Sequence, residues 1–144
     1  VFGKFLGALT AYGAIFLVTL LYPALLLRFG EPDVGSMVAQ YVGMFGLSCA
    51  FISVGLFASS VTDSQVLAAV LGYILLFGFW ILNWIADAMP ATLGDIGKAA
   101  SVLGHLEKFN RGVIDAVDVF YYVAFTAIFL LLSLRFVEAR RWAA

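Results

Sequence analysis

The chain has 144 residues, of which 64% are hydrophobic and 12% charged, against roughly 45–50% and 25% in soluble domains, and its mean hydropathy is +1.06. A soluble fold of this length has too little interior to hide so much apolar surface. A net charge of −1 with no basic stripe excludes nucleic-acid binding, and a single cysteine, Cys49, excludes an internal disulfide or a cysteine-based metal site.

The chain opens on Val1 without the basic, apolar and small-residue succession of a signal peptide, so it reads as a piece of a longer protein. Phe5 to Leu27 is 23 residues without a charge. As a helix at 1.5 Å per residue it covers about 35 Å, enough for a hydrocarbon core of about 30 Å. Pro23 is expected to loosen its last turn, and Arg28 with Gly30-Glu31-Pro32-Asp33 ends it. Val34 to Thr62 is the second uncharged stretch, and Ser36 is the expected N-cap of a helix over about 36–61.

Thr62-Asp63-Ser64-Gln65 fits a capping box, with a hydroxyl residue three positions before Gln, and predicts a tight turn into a third helix over 64–86. From Asp87 to Asp118 the composition changes. Pro90, Gly94, Gly97, Gly104 and Gly112 interrupt a segment carrying about half of the chain's charges. Within this loop, Val102, Leu103, Leu106 and Phe109 recur at helical spacing, with His105, Glu107, Lys108 and Arg111 between them. That pattern predicts an amphipathic interfacial or re-entrant helix, and Glu107 to Arg111 has the spacing of a favourable ion pair.

Val119 to Leu134 is uncharged but short, so the fourth helix is expected to run through Arg135 to about Val137, with Arg135 snorkelling. Arg140, Arg141 and Trp142 follow as a basic and aromatic interface anchor. Four spans put both ends on one side. Lys4, Arg135, Arg140 and Arg141 then face Arg28, Lys98, Lys108 and Arg111 across the membrane, a tie that leaves orientation undecided by positive charge.

Gly3, Gly7 and Ala11, and Gly55 with Ser59, have small-xxx-small spacing, read here as helix packing before any pore lining. No acid or base lies inside the first three expected spans, which argues against a proton-coupled carrier. His105 and Glu107 invite a chemical reading, but one His without a second His or Cys does not complete a zinc site. Ser48, Ser53, Ser59, Ser60 and Ser64 are candidate hydroxyls for an intramembrane hydrolase, yet no Gly-x-Ser-x-Gly elbow holds any of them. No P-loop is present either, so ATP binding through that motif is absent from the chain.

Tyr41 to Val70 and His105 to Trp142 resemble the permease subunits of ABC type 2 exporters, in the branch named for gliding-motility permeases. The residues that carry the likeness are Gly55-Leu56-Phe57-Ala58-Ser59-Ser60 with Thr62, Gln65 and Ala68. With them go His105, Glu107, Phe109, Arg111-Gly112-Val113-Ile114-Asp115, Asp118 and Glu138-x-Arg140-Arg141-Trp142. Gly3-Lys4-Phe5-Leu6-Gly7 is similar to the start of the family's third helix. The resemblance implies helices three to six of a six-helix permease in a bacterial inner membrane, both ends cytoplasmic, without the coupling helix that precedes them.

It also implies a second permease as homo- or heterodimer, separate ATPase subunits as partners, and no cofactor on this chain. His105, Glu107, Phe109 and Arg111 would form an outer gate, and Asp63 and Gln65 would sit in a cytoplasmic turn near the ATPase, with a plain N-cap as the simpler role for Asp63. The sequence therefore predicts an all-α polytopic transmembrane bundle, one domain over 1–144, with four spanning helices and an amphipathic segment over 87–118. The competing readings are a non-transporting membrane scaffold and an intramembrane enzyme.

Overall fold

The computed structural model describes residues 1–143. Seven helices follow one another: α1 (Phe2–Thr19), α2 (Leu21–Phe29), α3 (Val34–Val61), α4 (Gln65–Ala88), α5 (Ala91–Ala100), α6 (Val102–Asn110) and α7 (Ala116–Ala143). Among the described residues there is no strand. Four lengths are long and apolar enough to cross a membrane: α1 with α2 (Phe2–Phe29), α3, α4 and α7. The chain is an all-α bundle, and its two ends are distinguished below as the terminal end, where α1 begins and α7 finishes, and the loop end, where α5 and α6 lie.

The first span is broken once, at Leu20, and the break has a chemical cause. Pro23 has no N–H to offer the carbonyl of Thr19, four residues back. That carbonyl accepts instead from the Tyr41 hydroxyl of α3, at 3.0 Å. Lipid offers no replacement partner, so this bond both satisfies the backbone and ties the first span to the second. Around it Phe16 stacks edge-on against Tyr41 and Phe45. Replacing Tyr41 with Phe is expected to lower stability by about 1 kcal/mol. Adding Pro23→Ala should recover most of the loss by returning an N–H to Thr19, as measured by thermal unfolding in detergent.

The caps differ from the sequence expectation by a few residues. Asp33, not Ser36, caps α3, accepting from Gly35 N at 3.1 Å and from the Ser36 hydroxyl at 3.0 Å. A carboxylate at a helix N-terminus outdoes a hydroxyl because it also answers the helix dipole. Ser64, not Thr62, caps α4 by accepting from Leu67 N at 3.4 Å, while Thr62 accepts from Ser64 N and shapes the turn. Gln65 is the first residue of α4 and is exposed.

The last helix needs no snorkelling to span. It starts at Ala116 and runs 28 residues, about 42 Å, because Asp118 enters the helix instead of ending the loop. The sequence treats a charge as a boundary, but here the charge is buried and paired. The expected loop is likewise mostly helix. Alongside the anticipated α6 there is α5, whose Gly94 and Gly97 look like breakers. They serve close approach instead: a Cβ on Gly94 would stand 2.7 Å from the Ala86 carbonyl, and one on Gly97 2.9 Å from the Ala86 side chain.

The core lies between α3 and α7. Ala39, Gly43, Ala50, Ser53, Val54 and Ala58 form the buried face of α3, and Tyr122, Phe125, Thr126, Leu130 and Ser133 that of α7. Small residues on one helix receive large ones from the other, the arrangement that gives van der Waals contact where lipid supplies no hydrophobic drive. Phe79 of α4 closes the third side against Phe125 and Phe129. The buried serines spend their hydroxyls on their own helices: Ser53 on the Ala50 carbonyl, Ser60 on that of Phe57 and Ser133 on that of Phe129.

The small-residue ladder expected at Gly3, Gly7, Gly55 and Ser59 is not the one that packs within the chain. Positions for a Cβ on Gly3, Gly7 and Gly55 have no atom within 4 Å, and Ser59 is exposed. Small residues recur on several faces of α3, and spacing alone does not rank those faces.

Candidate functional site

At the loop end α6 folds back into the bundle, where apolar packing, hydrogen bonds and a charged cluster hold it. Its apolar side supplies Val102 and Phe109, both almost completely buried, and Phe109 lies directly on Gly43 of α3. Its start is capped by Ser101, which accepts from Gly104 N at 3.2 Å. Carbonyl groups at its start and at the end of α5 are tied to α7: the Tyr122 hydroxyl donates to the Val102 carbonyl at 2.8 Å, and the Tyr121 hydroxyl donates to that of Ala100 at 2.7 Å.

The third contact is charged. Asp118, in the first turn of α7, is completely buried. Its Oδ1 meets His105 Nδ1, and its Oδ2 lies 3.6 Å from the Lys108 ammonium, which also reaches Asp115 at 3.7 Å. His105 Nε2 donates to the Ala99 carbonyl at 3.0 Å. With that donor fixed, the other nitrogen faces a carboxylate, so a proton lies between Nδ1 and Asp118. The ring also stacks on Tyr121, centroids 3.9 Å apart. The pairing hydrogen-bonds one oxygen of the buried carboxylate and leaves Oδ2 without a hydrogen-bond partner, answered only by the Lys108 charge, and it fixes the orientation of the helix that carries the His.

Next to this cluster a cavity of about 500 Å³ opens between α4, α5 and α6, lined by Asn83, Asp87, Lys98, His105, Glu107 and Lys108. Lys98 bridges to Asp87 at 2.9 Å, and that carboxylate holds its ammonium above the usual lysine range. The turn beyond α6 is set by Gly112, whose φ of +83° suits glycine and whose α-carbon lies so near Ser36 that a side chain would collide with it.

The expected gate residues thus separate. His105 and Phe109 point into the bundle, whereas Glu107 and Arg111 are exposed. Among the described residues Glu107 and Arg111 form no ion pair with each other. Arg111 falls at the C-cap, past the last turn of α6, where its backbone N–H caps the helix. The residue that sequence reasoning gave least weight is Asp118. An acid at the edge of an apolar run, three positions after Asp115 and thirteen after His105, is the available signal.

At the terminal end Asp63 is neither cap nor open turn residue. Its carboxylate takes Arg140, which also donates to the Val61 carbonyl at 2.6 Å. Arg140 therefore staples the end of α7 to the α3–α4 turn. Arg135 pairs with Glu138 at 3.9 Å, Arg141 is exposed, and Trp142 is 90% exposed. Among the described residues no three of His, Cys, Asp and Glu gather closely enough to hold a metal ion. No family model, curated protein or solved structure matches the chain.

Proposed function

We propose that the chain is the membrane-spanning part of a permease subunit of an ATP-driven ABC exporter, working beside a second permease in a bacterial inner membrane, with ATP hydrolysis on separate subunits. The observation that carries this reading is the return of α6 into one end of the bundle. Phe109 on Gly43 and His105 on Asp118 plug that end with a few separable contacts, while the first three spans carry no charge in their interiors. A plug of this kind can close a path that opens when two permeases move apart. Three of the residues in the resemblance to type 2 permeases, His105, Phe109 and Asp118, lie at this plug.

In this reading both ends of the described chain face the cytoplasm, the α5–α6 segment forms the outer gate, and the turn at Asp63 and Gln65 lies on the ATPase side. The test is purification of the full-length parent with its neighbours. A stoichiometric P-loop ATPase should copurify. Replacing Glu107 or Arg111 with Gln, both exposed and outside the packed core, should change its hydrolysis several-fold. Purification without any such subunit would overturn the proposal and leave the scaffold reading in its place.

A further inference from the structure

Two cavities lie between α1, α3 and α7, one at the terminal end and one deeper toward the loop end, and they differ in chemistry. The terminal part, about 640 Å³, is lined by Lys4, Ser59, Asp63, Arg140 and Arg141, with Leu56 and Val137 as apolar walls. Arg140 is taken up by Asp63. Among the described residues Lys4 and Arg141 form no ion pair, so the opening carries two uncompensated positive charges.

The deeper part, about 410 Å³, is almost wholly apolar, lined by Phe5, Cys49, Val119, Val123, Ala127 and Leu130. The two parts adjoin on α1, where Lys4 precedes Phe5, and on α7, where Leu130 and Ser133 are less than a turn apart. Along α7 the apolar part extends from Leu130 to Val119, about 16 Å. Measured from Val137 of the terminal part the path is about 27 Å, most of a hydrocarbon core about 30 Å thick, so the acyl chain that follows it is fully extended. Both cavities are open because α1 buries none of its residues and leaves space beside Gly3, Gly7 and Gly13.

The geometry points to a site for one anionic phospholipid, its phosphate between Lys4 and Arg141 and one acyl chain in the apolar groove against α7. Charge complementarity selects the head: two unpaired cations beside a serine hydroxyl suit a phosphate diester, and a headgroup without net charge would leave the excess uncompensated. Length and polarity select the tail. Basic residues at the end of α7 also complement its dipole and attract any anionic surface by about 1 kcal/mol each. That general attraction makes no use of the groove, and this separates the two. The inference goes beyond the exporter reading and does not depend on it.

The test is lipid binding to the purified full-length protein in detergent, counted by native mass spectrometry. Phosphatidylglycerol should bind one per chain at concentrations at least tenfold below phosphatidylcholine. Lys4→Gln with Arg141→Gln should abolish the preference. Ala127→Trp, or the milder Ala127→Leu, should weaken phosphatidylglycerol binding about tenfold by filling the groove, with a thermal melt confirming the fold. Equal binding of the two lipids overturns the proposed head site. Unchanged binding in both folded Ala127 variants overturns the tail site, and displacement of the lipid by millimolar inorganic phosphate reduces the cleft to a simple anion site.

Discussion

His105→Ala is expected to destabilise the protein by about 3–5 kcal/mol, the cost of leaving a buried carboxylate without its main partner. Asp118 is completely buried, and Lys108, at 3.6 Å and half exposed, answers only its second oxygen. The converse change, Asp118→Ala, should cost less, because His105 keeps some exposure and its bond to Ala99, and water can reach its vacated nitrogen. The double replacement should then be markedly less damaging than the sum of the single ones, with a coupling of about 2 kcal/mol in a double-mutant cycle. Additive losses would mean that the two side chains do not act as a pair. The measurement is equilibrium unfolding in mild detergent, and cysteine accessibility at an introduced Val102→Cys, a buried position on α6, would report whether α6 has left the bundle.

The Asp118 pair also marks where the sequence was legible and where it was not. Spans announce themselves through uninterrupted hydropathy, so all four were readable, and the apolar spacing of Val102 and Phe109 predicted α6. Boundaries failed where a charge or a glycine had a tertiary partner. From sequence Asp118 falls in the loop because an unpaired acid cannot enter lipid, yet a histidine thirteen residues earlier returns to meet it. Gly94 and Gly97 look like breakers in the sequence because a glycine's use in close packing depends on what approaches it, here Ala86 of another helix. The ion pair expected at Glu107 and Arg111 followed from spacing on an isolated helix, and α6 ends before that spacing can be used. At the terminal end Asp63 and Arg140 are 77 positions apart, beyond the reach of any local rule.

The same logic gives the second large effect, at Gly43. An added Cβ would stand 2.6 Å from the Phe109 Cβ and 2.7 Å from its Cγ. These are the stem and ring base of a side chain that is itself almost completely buried, so it has no rotamer to escape into. Gly43→Ala should therefore destabilise by about 2–3 kcal/mol, even though alanine is the better helix former by about 1 kcal/mol. Gly46→Ala is the control, since its Cβ would stand 3.0 Å from Tyr122 Cδ2 and 3.2 Å from its Cγ, tight but a few tenths of an ångström looser than at Gly43, and it should cost visibly less. Combining Gly43→Ala with Phe109→Leu should recover part of the loss, because the flexible leucine can turn away where the ring cannot. Recovery would place the damage at this one contact, and thus identify Phe109 on Gly43 as the contact that must separate whenever α6 moves. If the Gly43→Ala protein melts at the parent temperature, α6 is not packed on α3 as described, and a plug built on that contact falls with it.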